Sequence, residues 1–253
     1  MFIDTHCHIH DSEFYLENRE ESYQKSLEAG VVAMICVGTN EKSSHEAVDF
    51  AASHPGCYAV VGVHPHDSKD GWSEVAAICA KKPEKLVGIG EIGLDYFYTH
   101  SSKQIQQEAL QAQMQLALDY SLPVSFHVRD AFEDFWPIFD NFPSISGVLH
   151  SFTDSRQNAE KGLQRGLFIG INGISTFTKD ASQQELYRDL PIDKIVLETD
   201  APFLTPAPFR GTMNLPAHVG RVAEFQAVQR GLPLDDVAAI TTASARQVFR
   251  LPT

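Results

Sequence analysis

The sequence predicts an α/β protein of the (β/α)8 barrel class, one domain spanning residues 1–253. Three observations carry that expectation. Eight short apolar runs alternate with helix-like segments from one end to the other, which argues for a parallel sheet. Eight such units in 253 residues is the size of a closed β/α barrel. No linker or low-complexity segment interrupts the alternation. An open, doubly wound sheet is the alternative, and it would normally offer a glycine-rich phosphate-binding turn after an early strand. Here Gly88, Gly90 and Gly93 surround Glu91 at a strand end instead of opening a helix.

Residues 2–5 begin the first strand, and residues 19–29 read as a helix stopped by Gly30. Residues 31–37 are a continuous apolar run, as in a parallel strand buried on both faces. A helix over 43–53 precedes the strand 58–62 and a loop carrying His64-Pro65-His66-Asp67. A helix near 73–81 leads to the buried strand 86–90. Ser101-Ser102-Lys103-Gln104 resembles a capping box, and the helix behind it carries Leu110, Met114, Ala117 and Leu118 on one stripe. Strands at 122–126, 145–149, 167–171 and 195–197 alternate with helices at 131–139, 154–165 and from Ser182. Helices over 217–230 and 234–248 close the chain.

An apolar fraction of 43% supports a sizeable core and argues against disorder. No run approaches the roughly 18 apolar residues of a membrane span. Asp4 and two histidines interrupt any signal-peptide pattern at the N-terminus. Cys7, Cys36, Cys57 and Cys79 form no C-x-x-C pair and read as reduced thiols of a cytoplasmic protein. The net charge of −13 argues against a broad basic surface for nucleic acid. It does not exclude a nuclease, because bound cations and a few local arginines can supply positive potential at a phosphate.

The polar residues fall where a barrel keeps its chemistry, at the C-terminal strand ends. His6 and His8 share one parity, so an extended strand aims both imidazoles at one point while Cys7 turns away. His64 and His66 follow the third strand, Glu91 and Asp95 the fourth, His127 and Arg129 the fifth, His150 the sixth, Glu198 and Asp200 the eighth. Packing alone would place apolar or small residues at these positions. Imidazole and carboxylate donors without thiolate suit Zn²⁺, Mn²⁺, Fe²⁺ or Co²⁺, with Mg²⁺ where oxygens dominate. The donors exceed what one tetrahedral ion needs, so two divalent ions with a bridging carboxylate are expected.

The segments Asp4-Thr5-His6-Cys7-His8, Gly62-Val63-His64-Pro65-His66, Gly90-Glu91-Ile92-Gly93-Leu94-Asp95-Tyr96, Phe126-His127-Val128-Arg129-Asp130-Ala131, His150-Ser151-Phe152 and Glu198-Thr199-Asp200-Ala201-Pro202 together resemble the TatD family. These are metal-dependent hydrolases and deoxyribonucleases with an amidohydrolase-like TIM barrel. The resemblance implies that His6, His8 and Asp200 hold one ion and His127 and His150 the other, with Glu91 bridging. It makes Asp200, Glu91 and His64 the catalytic set. Asp200 would orient or deprotonate the attacking water, and His64 would donate to a phosphate oxygen. Arg129 is expected as a second phosphate partner and Arg210 as a substrate-binding residue. Asp95 and Glu198 are expected to orient ligand histidines or to serve as strand-end carboxylates.

The chain departs from the family after the eighth strand. A basic stretch of the form Arg-Gly-Lys-Arg-Asn-Glu-Pro is expected, and Arg210-Gly211-Thr212-Met213-Asn214-Leu215-Pro216 stands there. Two basic residues and a glutamate are replaced by uncharged ones, and Val128 stands where a serine is usual. The strand-end site and the family resemblance make the first reading a metal-dependent 3′-to-5′ exonuclease on single-stranded DNA ends, a monomer without an obligate protein partner, and the altered loop counts against high affinity. The second keeps the site but changes the bond to an amide or ester, as in removal of an aminoacyl group from tRNA. A non-enzymatic metal-binding scaffold is the third. Tyr96, Phe97, Tyr98 and Phe203 lie near strand ends and are expected in core or rim packing, with base stacking the alternative.

Overall fold

In the computed structural model, residues 1–15, 18–98 and 100–252 are described. The strands are β1 (Phe2–Cys7), β2 (Val31–Val37), β3 (Cys57–Val61), β4 (Leu86–Asp95), β5 (Val124–Arg129), β6 (Gly147–Leu149), β7 (Phe168–Ile171) and β8 (Ile195–Leu197). They form one sheet in chain order, β1 to β8. The pairs β3–β4, β4–β5, β5–β6 and β7–β8 are parallel. Each of the eight apolar runs is a strand, and the fold is of the (β/α)8 barrel class. The helices are α1 (Arg19–Glu28), α2 (Glu41–Ser53), α3 (Ser73–Lys81), α4 (Lys103–Asp119), α5 (Phe132–Phe139), α6 (Arg156–Gln164), α7 (Ala181–Asp189), α8 (Val219–Arg230) and α9 (Leu234–Phe249).

The chain divides into two compact units, Met1–Ile35 with Ser151–Thr253, and Cys36–His150. In the first unit the end of β1 meets the end of β8. Asp200 N–H donates to His6 O at 2.8 Å, His8 N–H donates to Ala201 O at 2.8 Å, and Cys7 bridges Ala201 in parallel register. The buried Asp4 carboxylate fastens the same junction, accepting from Thr199 N–H at 2.9 Å and from Thr199 Oγ1 at 2.6 Å.

In the second unit α4 fixes two loop starts. Its stripe of Leu110, Met114 and Ala117 is buried as the 3.6-residue period requires. Gln106 and Gln113 lie buried beside that stripe, and each amide pairs with a backbone as a neighbouring strand would. Gln106 Oε1 accepts from Asp95 N–H at 2.8 Å while its Nε2 donates to Asp95 O at 3.0 Å. Gln113 does the same to Val63, at 2.8 and 3.2 Å. Buried polar backbone at the start of each loop is thereby satisfied.

Two local expectations are corrected. Ser102, not Ser101, caps α4, accepting from Ile105 N–H at 3.3 Å. Ser101 instead donates to His66 O at 2.8 Å, so tertiary pairing takes it out of the helix start. The fourth strand runs on to Asp95 instead of ending at residue 90, with a register shift between Ile89 and Ile92. Gly93 permits the extension. It pairs with His127 at φ +154°, and a Cβ there would stand 1.8 Å from the His127 carbonyl oxygen.

That approach gives a direct expectation. Gly93→Ala should lower the unfolding free energy in urea by about 2 kcal/mol or more, because the rigid neighbour is backbone. Gly30→Ala, at φ +83° with open space around its Cβ position, should cost only about 1 kcal/mol. Equal costs would refute the steric account of Gly93.

Candidate active site

In the first unit, β1 carries His6, His8 follows directly after its last residue Cys7, and both histidines are buried. Cys7 turns the other way and its Sγ donates to Ile35 O at 3.5 Å, as parity requires. Asp200 reaches the two imidazoles through a left-handed turn, φ +57°, which a short polar side chain tolerates better than most. Its Oδ1 lies 3.3 Å from His8 Nε2 and 3.7 Å from His6 Nε2. One ligand atom from each of the three residues falls within 4.8 Å of the others. Donors held about 2.0–2.1 Å from a tetrahedral ion stand about 3.3–3.5 Å apart. Two imidazole nitrogens and a carboxylate oxygen at these separations fit a divalent cation, and three protein donors leave room for water and substrate.

Behind this group Asp4 is fully buried, and its carboxyl is pushed up to about 8, by burial first and by the Glu198 charge last, against the hydrogen bonds from Thr199 and His6 N–H. Glu198 is buried too and accepts from the Ser151 N–H, while Asn172 Nδ2 donates to Ser151 Oγ at 2.8 Å. Glycine at 170 makes space for this carboxylate, since a Cβ there would stand 2.5 Å from Glu198 Oε2.

In the second unit Glu91 Oε1 is the point of convergence. It lies 2.9 Å from His127 Nδ1, 3.8 Å from His64 Nε2 and 3.8 Å from His150 Nε2. His64, Glu91 and His127 bring nitrogen and oxygen atoms within 4.8 Å of one another, of which the Glu91 carboxylate and the His127 imidazole suit a divalent cation. The far nitrogen of His127, Nε2, lies 3.0 Å from Asp95 Oδ2. A histidine gripped by a carboxylate on one nitrogen is oriented for a cation on the other. Burial works against charge on His127, yet its hydrogen bonds to Asp95 and Glu91 prevail and raise it to about 9. Asp95 is held below its ordinary range: burial opposes this, and hydrogen bonds from His127, Tyr98 N–H and His66 outweigh it.

His64 behaves differently. Burial and the neighbouring His127 hold it well below 6.5, against the pull of Glu91, so the ring is neutral at pH 7. Its Nδ1 accepts from His66 N–H at 3.2 Å. The proton of the neutral ring therefore sits on Nε2, facing Glu91. That is a hydrogen-bond donor, not a cation.

The sequence places His66 after the third strand but assigns it no role. Its Nε2 lies 3.0 Å from the same Asp95 Oδ2 that holds His127. The two arginines join neither cluster by hydrogen bond or ion pair among the described residues. Arg129 lies over the Phe97 ring, 3.9 Å from its centroid. Arg210 lies 3.8 Å from the Phe177 centroid and donates to Thr205 O at 2.9 Å. In the divergent loop, Thr212 and Met213 are exposed. Asn214 is buried, donating to Thr199 O at 2.8 Å and Phe203 O at 2.6 Å.

A barrel with histidines and carboxylates gathered at its strand ends defines a metal-dependent hydrolase class. Comparison makes the class specific. Residues 3–250 match the family described as TatD related DNase. The metal-dependent hydrolase YabD of Bacillus subtilis is 34% identical, with 99% of this chain and 100% of that protein covered. The 3′-5′ ssDNA/RNA exonuclease TatD of Salmonella typhimurium is 37% identical, with 98% and 99% covered. The crystal structure of YjjV, a TatD homologue of Escherichia coli, superposes with a TM-score of 0.92 at 30% identity, covering 99% and 98%. The chain belongs to the TatD-related DNase family of metal-dependent hydrolases.

Two outcomes follow from these contacts. Asp95→Asn should weaken divalent-metal binding at the Glu91 cluster by about 10- to 100-fold, measured by competition with a chelating dye, because His127 loses the acceptor that orients it. Unchanged affinity would rule out that role. For Asp4, a carboxyl raised from 3.8 to about 8 contributes stability that is full at low pH and lost as pH rises through that window. In metal-stripped protein, urea unfolding of Asp4→Asn against wild type should shift in the variant's favour from about pH 4 to about pH 8, and no further above it. A pH-independent difference would contradict the burial argument.

Proposed function

We propose that the protein is a 3′-to-5′ exonuclease on single-stranded DNA ends, working with two divalent ions, Zn²⁺, Mn²⁺ or Mg²⁺. His6, His8 and Asp200 would hold one, and Glu91, His127 and His150 the other. The observation that carries the reading is the pairing of a neutral, donor-competent His64 with the Glu91 cluster. The names of its relatives, exonucleases and metal-dependent hydrolases, support the same reaction class. Bound divalent ions supply Lewis-acid charge neutralisation at a phosphoryl oxygen and acidify water.

The chain's own residues do the rest. Asp200 orients the attacking water and accepts its proton, its carboxylate being part exposed at 15%. His64 donates from Nε2 to a non-bridging phosphate oxygen. Arg129 and Arg210 are the positive side chains in this proposal, contacting phosphates further along the strand. Among the described residues no helix is long and apolar enough to cross a membrane. All four cysteines are buried thiols outside any disulfide, which supports a reducing, cytoplasmic setting. A monomeric single domain over residues 1–253 completes the reading.

One observation favours a second reading. The uncharged Thr212 and Met213 are exposed where the family carries basic side chains, which lowers the pull on a polyanion. An amide or ester bond, such as the aminoacyl linkage of a charged tRNA, suits the same donor set.

A time course on a 5′-labelled single-stranded oligonucleotide separates them. Metal-stripped protein should be inert, and Mg²⁺ or Mn²⁺ should restore a ladder shortening from the 3′ end. Glu91→Ala should lose several kcal/mol of barrier lowering, at least about 100-fold in rate. Inert wild-type protein with metal bound would overturn the exonuclease and leave the carbonyl hydrolase in its place.

A further inference from the structure

Phe97 and Tyr98, expected in core or rim packing, are 54% and 42% exposed, outside the core. They pack edge to face with centroids 4.7 Å apart. The Arg129 guanidinium lies 3.9 Å from the Phe97 centroid and 5.2 Å from that of Tyr98. His100 stacks on Tyr98 at 5.7 Å, and His66 meets the same ring edge-on at 5.3 Å. Large aromatic rings left open to water, with a guanidinium spread over them, offer π faces and positive charge to a flat ligand carrying a phosphate.

What ties this patch to the active site is Asp95. Its Oδ1 accepts from the Phe97 and Tyr98 N–H groups, at 2.9 and 3.0 Å. Its Oδ2 pairs with His127 and His66, each at 3.0 Å. One buried carboxylate therefore fixes both a histidine of the Glu91 cluster and the turn that presents the two rings. The rings stand at a set offset from that cluster instead of riding on a free loop.

We infer that Phe97 and Tyr98, backed by Arg129, form a stacking platform for a nucleobase next to the reacting phosphate. This rests on the nuclease reading and names the subsite by which it would hold its substrate. The charge of the chain makes such a platform useful. At −13 overall, long-range attraction to a polyanion is weak, and stacking contributes affinity that does not depend on counterion release. The same rings read any base, because every base has a π face.

The test compares binding of dye-labelled hexathymidylate with that of an abasic strand of equal length, both with phosphorothioate linkages, to metal-loaded protein by anisotropy. Wild type should prefer the base-bearing strand by about 5-fold or more. Phe97→Leu/Tyr98→Leu should abolish that preference while keeping the wild-type salt slope, and Tyr98→Phe should retain it. Equal binding of the two strands by wild type, which needs no variant to fold, would overturn the platform. So would a preference that survives the double substitution. Cleavage of unmodified strands is followed in parallel. Base preference without cleavage would sink the nuclease and leave the platform standing, whereas cleavage without base preference would do the reverse.

Discussion

The junction of the first and last strands is the constraint on which the His6, His8 and Asp200 group depends. His6 and His8 are placed by β1, whereas Asp200 arrives about two hundred residues later, and no local propensity can bring it there. The link is made by backbone and side chain together. Asp200 N–H and His8 N–H donate across the junction, and Asp4 accepts from Thr199 twice. A fully buried carboxylate is a costly fastener unless its oxygens are satisfied. Here both oxygens accept, so the cost falls only on ionisation, and the carboxyl is driven up to about 8. Position matters more than charge at Asp4.

The second unit solves the same problem from a helix. Asp95 and Val63 begin the loops that carry the platform rings and His64. Their backbones are held by the amides of Gln106 and Gln113 on α4. An amide that both donates and accepts copies a strand neighbour, and it does so at a distance a helix can span. Once Asp95 is held this way, its carboxylate is free to serve two masters, the imidazoles on one oxygen and a turn on the other. A change at Asp95 would therefore disturb the orientation of His127 and the loop conformation at once.

The strand pattern was legible because buried parallel strands leave continuous apolar runs, as at 31–37, and because helices keep a 3.6-residue stripe. The candidate donors were legible because each follows such a run. Four features were not. The reach of β4 to Asp95 depends on Gly93 passing the His127 backbone, a three-dimensional proximity with no one-dimensional signature. The roles of Gln106 and Gln113 were masked because glutamine inside a helix ordinarily reads as a solvated position. His66 sits in plain view, but only the fold brings Asp95 to it. The exposure of Phe97 and Tyr98 escaped for a related reason. Aromatics beside a strand end are normally buried, and it is the pinned turn at Asp95 that holds these two outward.

Charge sets the remaining condition on function. A chain at −13 repels a strand of phosphates at a distance, and the divergent Thr212 and Met213 withdraw two more contacts that basic residues would make. On the proposed function, attraction would then be short-ranged: cations at the buried imidazoles and carboxylates, a neutral His64 as donor without added charge, and Arg129, which lies over the Phe97 ring. Each acts within a few ångströms and inside the Debye length at physiological salt, about 8 Å. On the proposed exonuclease reading, the enzyme would engage ends that diffuse into place and would not track along a polymer. The affinity that stacking adds at one base would matter more here than on a basic nuclease, where counterion release already dominates.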